Sequence, residues 1–150
     1  DKLVVVSGGG QGGVPDEYAT MLREYDGSRA EMEQILDVLF YDEWWDDEYV
    51  ERRVKASRVP GAWQCTAAVR FRPPFDSDRS SARRYDYENI DNETLLVGGE
   101  ADVIRPPDDL RAMAEQIPDV ELKLYSDARH CAHIERSEAF NERAVSFLLA

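Results

Sequence analysis

Two residues in the last third of the sequence, Asp102 and His130, are of the types that carry out acid–base catalysis. Asp102 follows an apolar segment and two glycines, and His130 follows a second segment with alternating apolar residues. An imidazole exchanges protons near neutral pH, and a neighbouring carboxylate orients the ring and stabilises its charged form. The alternative is structural: Asp102 caps a turn before Pro106, and His130 closes a strand–helix junction.

The segment around His130 also contains residues of metal-binding types, namely His130, Cys131, His133 and Glu135. Their spacing matches no strong zinc pattern, because a second pair of ligands is absent from the pattern. His133 fits better as a packing residue at the start of the last helix. We therefore expect neither a metal site nor a cofactor.

A glycine-rich segment, residues 7–13 (SGGGQGG), follows the first apolar run. Glycines in a loop allow backbone conformations and close approaches that side chains forbid. The segment lacks the lysine of a P-loop and the spacing of a dinucleotide-binding loop, which argues against phosphate binding. We expect its backbone N–H groups to hold an oxygen atom, or the segment to act as a hinge.

Three short apolar segments predict the strands that position these residues: 3–6 (LVVV), 93–99 (ETLLVGG) and 121–127 (ELKLYSD). Helical patterns follow the second and third segments, with Pro107 opening one helix and Ser137 capping the last. Strands that alternate with helices indicate a parallel sheet. Loops at the carboxyl ends of parallel strands share one rim, so Asp102 and His130 should lie close together.

The region between the first two strands is predicted to be almost entirely helical up to residue 72. Ser28 and Glu31 fit a capping box. The residues after it repeat at helical spacing and form one apolar face: Met32, Ile35, Leu36, Leu39 and Phe40. A further helix is expected to begin near Asp46, and the Pro-Gly pair at 60–61 interrupts the helical pattern.

The composition argues against several classes of protein. The chain has 150 residues, with 31 acidic and 18 basic side chains and a formal charge of −13. Nucleic-acid binding needs clustered Lys and Arg, and anionic membranes repel such a chain, so we expect neither partner. Hydrophobic residues make up 43%, which excludes wholesale disorder. No apolar run reaches bilayer length, no signal-peptide pattern occurs, and two cysteines make no disulfide framework, so we expect a cytoplasmic protein.

The predicted sheet has only three strands, which is few for a parallel sheet. Parallel sheets are covered on both faces and rarely consist of three strands. Residues 3–6 at an edge would expose unpaired backbone groups on an apolar strand. We therefore expect that partner strands come from another polypeptide, or that the chain is one piece of a longer one.

This order of parts resembles the C-terminal half of an α/β-hydrolase. Residues 95–107 (LLVGGEADVIRPP) look like the acid-bearing turn of that fold, and residues 127–140 (DARHCAHIERSEAF) look like its histidine loop and final helix. Within the fold, the chain most resembles the meta-cleavage-product hydrolases, which split carbon–carbon bonds in vinylogous 1,3-dicarbonyl acids. Residues 7–13 resemble that group's glycine-rich entry to the lid. Arg52, eight residues before Pro60, falls where that group carries a substrate-binding arginine.

The resemblance implies roles for particular residues. Asp102 is the expected triad acid and His130 the expected triad base. Arg52 is expected to bind a substrate carboxylate or carbonyl, with Arg53 as a rival. The other expected substrate-binding residues are Gly8, Gly9, Cys131 and Trp63. The implied organisation is residues 1–14 as core strand and glycine-rich loop, 15–72 as a helical lid, 73–90 as a linker and 91–150 as the C-terminal core.

The sequence also departs from the family pattern. Arg129 stands before the histidine, where glycine is common, and Cys131 stands after it, where carbon–carbon hydrolases often have Trp. The sequence has no Gly-x-Ser-x-Gly, the segment that carries the nucleophile in this fold. We expect neither Ser7 nor Cys131 to be the nucleophile. Ser7 ends the strand after the one that should carry it, and Cys131 cannot easily face its neighbour's ring.

These observations predict part of a serine-type α/β-hydrolase. We expect an N-terminal hydrolase half on another chain to supply the serine, and a small carbonyl compound to be cleaved at a carbon–carbon or ester bond. A higher oligomer is compatible with this prediction. The alternatives are a non-catalytic binding or scaffold remnant of a hydrolase, and a cyclase or lyase on the same fold.

Overall fold

The computed structural model describes residues 1–8, 15–42, 45–65 and 86–150. Its strands are β1 (Leu3–Val6), β2 (Thr94–Gly99) and β3 (Val120–Tyr125). Its helices are α1 (Asp16–Glu24), α2 (Arg29–Leu39), α3 (Asp47–Ser57), α4 (Pro107–Ala114), α5 (Ala132–Glu135) and α6 (Ser137–Leu149). None of these described helices is long and apolar enough to cross a membrane.

Within the described residues the strands form one parallel sheet in the order β1–β2–β3. In its register, Val6 pairs with Val97 and Gly99 pairs with Tyr125. The expected parallel sheet is therefore confirmed. β2 begins one residue later than predicted, and β3 begins one residue earlier and ends at Tyr125 rather than at residue 127.

The central strand β2 is buried along its whole length because helices cover both of its faces. Side chains alternate between the faces of a strand. On one face, Leu95 and Val97 pack with Phe147 of α6. On the other face, Leu96 packs with Leu110 of α4. This two-sided burial explains why the segment is an uninterrupted apolar run rather than an alternating one.

An ion pair joins the outer part of the sheet to the last helix. The Arg143 guanidinium of α6 binds the Glu121 carboxylate of β3. This hydrogen-bonded contact lowers the pKa of the Glu121 carboxyl below its usual value. Because both side chains are partly exposed, the pair mainly orients α6 along β3 rather than stabilising the fold.

Helices α1, α2 and α3 lie between β1 and β2, and we call described residues 15–42 and 45–65 the helical insert. The insert has a core of its own, formed by Tyr25, Met32, Ile35, Leu36, Phe40, Val50 and Val54. Cys131 and Ile134, from outside the insert, pack against this core. The insert therefore rests on the segment that follows His130. The division of the chain into lid, linker and core stays a prediction.

The helix starts in the insert agree with their sequence signals. The Asp46 carboxylate accepts a hydrogen bond from the Tyr49 N–H at 2.8 Å and caps α3, as expected. Ser28 Oγ accepts one from the Glu31 N–H at 3.2 Å and caps α2. The reciprocal half of the capping box is different, because the Ser28 N–H donates to the Asp26 carboxylate at 2.6 Å. In a capping box the Glu31 carboxylate would accept this hydrogen bond. Here the carboxylate of Asp26, two residues before the cap, accepts it instead.

Replacing Ser28 by Ala is expected to destabilise the chain by about 1 kcal/mol, because the Glu31 N–H at the start of α2 loses its acceptor. Urea denaturation followed by circular dichroism measures the change in free energy of unfolding. Ser126→Ala is the matched control, since Ser126 is exposed in the turn after β3. Equal stabilities for the two variants would show that the Ser28 cap contributes nothing.

The start of α6 corrects one expectation. Ser137 was expected to cap this helix, but it is the first helical residue, and Arg136 occupies the cap position without a side-chain cap. The reason is the preceding turn of helix, α5. The Arg136 N–H donates to the Ala132 carbonyl at 2.9 Å, and the Phe140 N–H donates to the Arg136 carbonyl at 2.8 Å. The backbone thus passes almost directly from α5 into α6, and no side-chain cap is needed.

Some predicted features lie outside the described residues. They are Gly9, the continuation of the helix beyond residue 65 and the linker up to residue 85. The break at residues 60–61 is described: Gly61 has a φ of +83° and residues 62–65 are helical.

Candidate active site

The Asp102 carboxylate is fixed within the loop that follows β2. The residue is only 3% exposed. Its Oδ1 accepts hydrogen bonds from the Ile104 N–H at 2.8 Å and the Arg105 N–H at 2.9 Å. The structural alternative, in which Asp102 only caps a turn, therefore describes the role of this one oxygen. The second oxygen is left for another partner.

That partner is the imidazole of His130, on the loop that follows β3. Nδ1 of His130 lies 2.9 Å from Oδ2 of Asp102. An ionised carboxylate only accepts hydrogen bonds, so this contact places the imidazole proton on Nδ1. The His130 side chain is 28% exposed, whereas that of Asp102 is fully buried. Within the described part of the chain, Nε2 has no hydrogen-bond partner. The pair can thus accept a proton from an outside group at Nε2 while a buried carboxylate orients the ring.

Backbone contacts hold the two loops against each other. The Glu100 N–H donates to the Tyr125 carbonyl at 2.9 Å, and the Ala101 N–H donates to the Ala128 carbonyl at 3.1 Å. Gly99, at the end of β2, makes this approach possible. A Cβ atom there would lie 2.2 Å from the carbonyl oxygen of Ala128. We call residues 100–106, after β2, the acid loop and residues 126–131, after β3, the histidine loop. The two loops therefore meet across a gap that admits no side chain.

In the described part of the glycine-rich segment the strained residue is Ser7, which was expected only to end the first strand and not to act as the nucleophile. Ser7 has a φ of +46°, a left-handed conformation that costs a non-glycine residue energy. It is 7% exposed, and its hydroxyl has no hydrogen-bond partner among the described residues. Its N–H donates to the Val97 carbonyl at 2.8 Å, which places Ser7 at the same sheet edge as Asp102. The available signal was a serine immediately after a buried strand and before glycines.

Glycines were expected to supply the unusual backbone conformation of this segment, but Gly8 does not have one. Its φ is not positive, and an added Cβ would meet the Val6 carbonyl oxygen at 3.4 Å, an ordinary contact. A substrate-binding role for Gly8 stays a prediction, and Gly9 lies outside the described residues.

Arg129, at the position before the histidine, does not have the left-handed backbone conformation that favours glycine. The described non-glycine residues with positive φ are Ser7 and Asp42. The backbone of Arg129 therefore carries no strain of this kind.

Arg52 lies exposed on α3, with its guanidinium 5.2 Å from the centre of the Tyr49 ring. Tyr49 in turn contacts the Phe40 ring edge-on, at a centroid distance of 6.1 Å. Arg53 is exposed as well. The structure does not bring Arg52 into contact with Asp102 or His130, so its role as a substrate ligand stays a prediction.

The described tryptophans pack within the insert. Trp63 donates from Nε1 to the Leu22 carbonyl at 2.9 Å, and its ring lies 4.4 Å from that of Tyr25. A shallow cavity of about 190 Å³ opens beside these two rings. Trp45 packs against the core of the insert. A substrate-binding role for Trp63 stays a prediction, and its observed contacts are those of a packing residue.

The residues considered for a metal site have other contacts. His133 is exposed and its ring packs against Phe140 at 6.0 Å. The Cys131 N–H donates to the Leu39 carbonyl at 3.1 Å, and both Glu135 carboxylate oxygens accept backbone hydrogen bonds. Among residues 1–8, 15–42, 45–65 and 86–150, no three His, Cys, Asp or Glu residues form a group that would hold a metal ion.

Sequence comparison relates the chain to known hydrolases. No protein-family model matches it. The chain is 32% identical over 127 residues to the 2-hydroxymuconate semialdehyde hydrolase of Pseudomonas putida. The aligned part covers 83% of this chain and 45% of that protein. The chain thus spans about half the length of the curated relatives it matches.

Solved structures show the same relationship. A meta-cleavage product hydrolase from Pseudomonas fluorescens IP01 superposes with a TM-score of 0.81 at 26% identity, over 99% of this chain and 55% of that one. The 2-hydroxy-6-oxo-6-phenylhexa-2,4-dienoate hydrolase of Rhodococcus sp. strain RHA1 superposes with a TM-score of 0.77 at 18% identity, over 100% of this chain and 56% of that one. The second likeness is one of fold alone.

Proposed function

Because this chain has the fold of the C-terminal portion of an α/β-hydrolase and resembles the meta-cleavage-product hydrolases, we propose that it supplies the acid and the base of a hydrolytic triad. The observation that carries the proposal is the 2.9 Å contact between Oδ2 of Asp102 and Nδ1 of His130. A buried acid behind a partly exposed imidazole is the arrangement that a general base requires.

In the proposed reaction, Nε2 of His130 removes the proton from a serine hydroxyl as the serine oxygen attacks a substrate carbonyl. Asp102 holds the ring in the correct tautomer and stabilises the imidazolium that forms. His130 then returns the proton to the leaving group, which is a carbon in carbon–carbon cleavage and an oxygen in ester cleavage. Water, activated by the same imidazole, releases the acyl group from the serine and restores the starting state.

The nucleophilic serine is proposed to come from an N-terminal hydrolase half on a separate chain. Two observations support this. The sequence contains no Gly-x-Ser-x-Gly, and the chain matches only 45% of its Pseudomonas putida relative. The apolar strand β1, an edge of the described sheet, would pair with a strand of that half. The partner half would also supply the backbone N–H groups that stabilise the oxyanion.

The proposed substrates are small carbonyl compounds that carry a carboxylate. The Pseudomonas putida relative is named for its action on 2-hydroxymuconate semialdehyde. This compound carries both a carbonyl group and a carboxylate. Arg52 is the candidate for the carboxylate, because guanidinium groups bind carboxylates through two parallel hydrogen bonds. Cys131 lies next to the base, where it would shape the pocket.

Complementation tests the proposal. The chain is mixed with the N-terminal half of the Pseudomonas putida hydrolase, or fused behind it, and hydrolysis of a 4-nitrophenyl ester and of a meta-cleavage product is followed by absorbance. We expect activity in the combined protein and none in either part alone. The control is the same combination with the nucleophilic serine of the N-terminal half replaced by Ala.

Two outcomes would contradict the proposal. One is a folded one-to-one complex, identified by native mass spectrometry, that hydrolyses neither compound. The other is tight binding of such an acid by the chain alone without any gain of activity from the N-terminal half, which favours a binding protein. Product analysis separates hydrolysis from a lyase or cyclase reaction.

A further inference from the structure

The residues on either side of His130 are bonded to the end of helix α2. The Arg129 guanidinium donates a hydrogen bond to the carbonyl oxygen of Asp37. The Cys131 N–H donates to the carbonyl oxygen of Leu39 at 3.1 Å. The last four carbonyls of a helix have no partners within it, so these two donors satisfy groups that α2 leaves open.

The charge of Arg129 also suits this position. The C-terminal end of a helix carries partial negative charge and is stabilised by a nearby cation. The last turn of α2 contains no basic residue of its own. Arg129 supplies the cation from the histidine loop instead. The Arg129 side chain therefore adds a link between the loop and the helical insert.

Glu135 completes this link from the other side. Its Oε2 accepts a hydrogen bond from the Arg129 N–H at 2.9 Å. Its Oε1 accepts one from the N–H of Tyr41, which lies two residues beyond α2. One carboxylate thus binds the residue before His130 and the segment that follows α2. Hydrogen bonds that involve an ionised group are roughly twice as strong as neutral ones.

The carboxylate is itself held in place. Glu135 is the last residue of α5, and its N–H donates to the Cys131 carbonyl at 3.1 Å. Ala132, at the start of α5, is fully buried. The short helix therefore presents the Glu135 side chain from a fixed position beside the loop.

We propose that Glu135 is a positioning residue, which sets the place of the His130 imidazole by fastening the loop before it to the end of α2. The proposal about position stands on these contacts alone. Its consequence for catalysis rests on the function proposed above. It also implies that a displacement of the insert is transmitted to His130 through the backbone of residues 129–131.

The test uses Glu135→Gln and Glu135→Ala, with Glu142→Gln as the matched control. Glu142 is exposed on α6, so its substitution removes the same charge without touching the loop. A Gln side chain keeps one acceptor oxygen and loses the other, whereas Ala loses both. If the Ala variant does not fold, the Gln variant still decides the question.

The first readout is hydrogen exchange by NMR in the folded protein, alone or combined with the N-terminal half. In Glu135→Ala we expect the amides of Tyr41 and Arg129, and the Nδ1 proton of His130, to exchange about tenfold faster or more. The amides of Leu96 and Val97 in β2 should be unchanged. Uniformly faster exchange at all these sites, or unchanged exchange at Arg129 and His130, would overturn the proposal.

The second readout is activity in the combined protein. We expect Glu135→Gln to lower kcat about tenfold with KM changed less than about twofold, because the base is displaced while the pocket stays intact. If the wild-type combination is inactive, the proposed function fails and the exchange data still judge the positioning role. If it is active and Glu135→Gln leaves kcat unchanged, the positioning role fails and the proposed function stands.

Discussion

Replacing Asp102 by Asn is expected to lower kcat of the combined protein about 10,000-fold, the loss that an acid-to-amide change causes in a serine triad. The Asn carbonyl oxygen can still accept from the Ile104 and Arg105 N–H groups, so the turn is kept. The amide NH₂ then faces Nδ1 of His130 and donates to it. The imidazole proton must move to Nε2, and the ring can no longer act as a base there.

Two further variants separate catalysis from folding. Asp102→Ala removes the acceptor of both backbone N–H groups as well, so it is expected to lose stability in addition to activity. Asp119→Asn is the control for charge, since Asp119 is exposed. Steady-state kinetics and urea denaturation are measured for all three. An Asp102→Asn protein with kcat within about tenfold of the wild type would show that Asp102 is not the triad acid.

Replacing Gly99 by Ala is expected to destabilise the protein by about 3 kcal/mol and to separate the acid loop from the histidine loop. The added Cβ would lie 2.2 Å from the Ala128 carbonyl oxygen and 2.3 Å from that of Arg129. Both neighbours are backbone atoms of the histidine loop, so relief requires that loop to move. The contact between Asp102 and His130 should be lost with it.

Gly98→Ala is the matched control one residue earlier. Its Cβ would lie 2.2 Å from a terminal methyl carbon of Leu110, which can turn away by a change of rotamer. We expect a smaller cost, about 1 kcal/mol, and an unaltered Asp102–His130 contact. Denaturation gives the stabilities, and the NMR signal of the His130 Nδ1 proton reports the contact. A Gly98→Ala protein less stable than Gly99→Ala would contradict this interpretation of the gap.

Local signals in the sequence predicted most of the described elements. The β2 segment is apolar on both faces, which indicated burial between two layers of helices and hence a parallel sheet. Ser28 and Asp46 marked helix starts because a side-chain oxygen there binds a backbone N–H that the helix leaves open. The same capping rule led to the wrong prediction that Ser137 caps α6. Ser137 is a good capping residue, yet the turn α5 before it already supplies the helix start.

The approximate place of the acid and the base was also predictable. Asp102 and His130 each follow a strand of the same parallel sheet, and the carboxyl ends of such strands lie at one edge. This rule brings two loops together but does not set a distance. The 2.9 Å contact depends on Gly99, whose missing side chain allows the loops to touch.

The sequence by itself thus determined the order of strands and helices and the two residues with acid–base chemistry, because both follow from side-chain type and short-range spacing. Only the tertiary structure decided three further features: the left-handed backbone at Ser7, the contact of Arg129 with the end of α2, and the two backbone partners of Glu135. The reason is physical. The contacts of Arg129 and Glu135 with the insert join residues more than 90 positions apart, so no local pattern encodes them. They exist only once the helical insert has packed against the segment that carries His130.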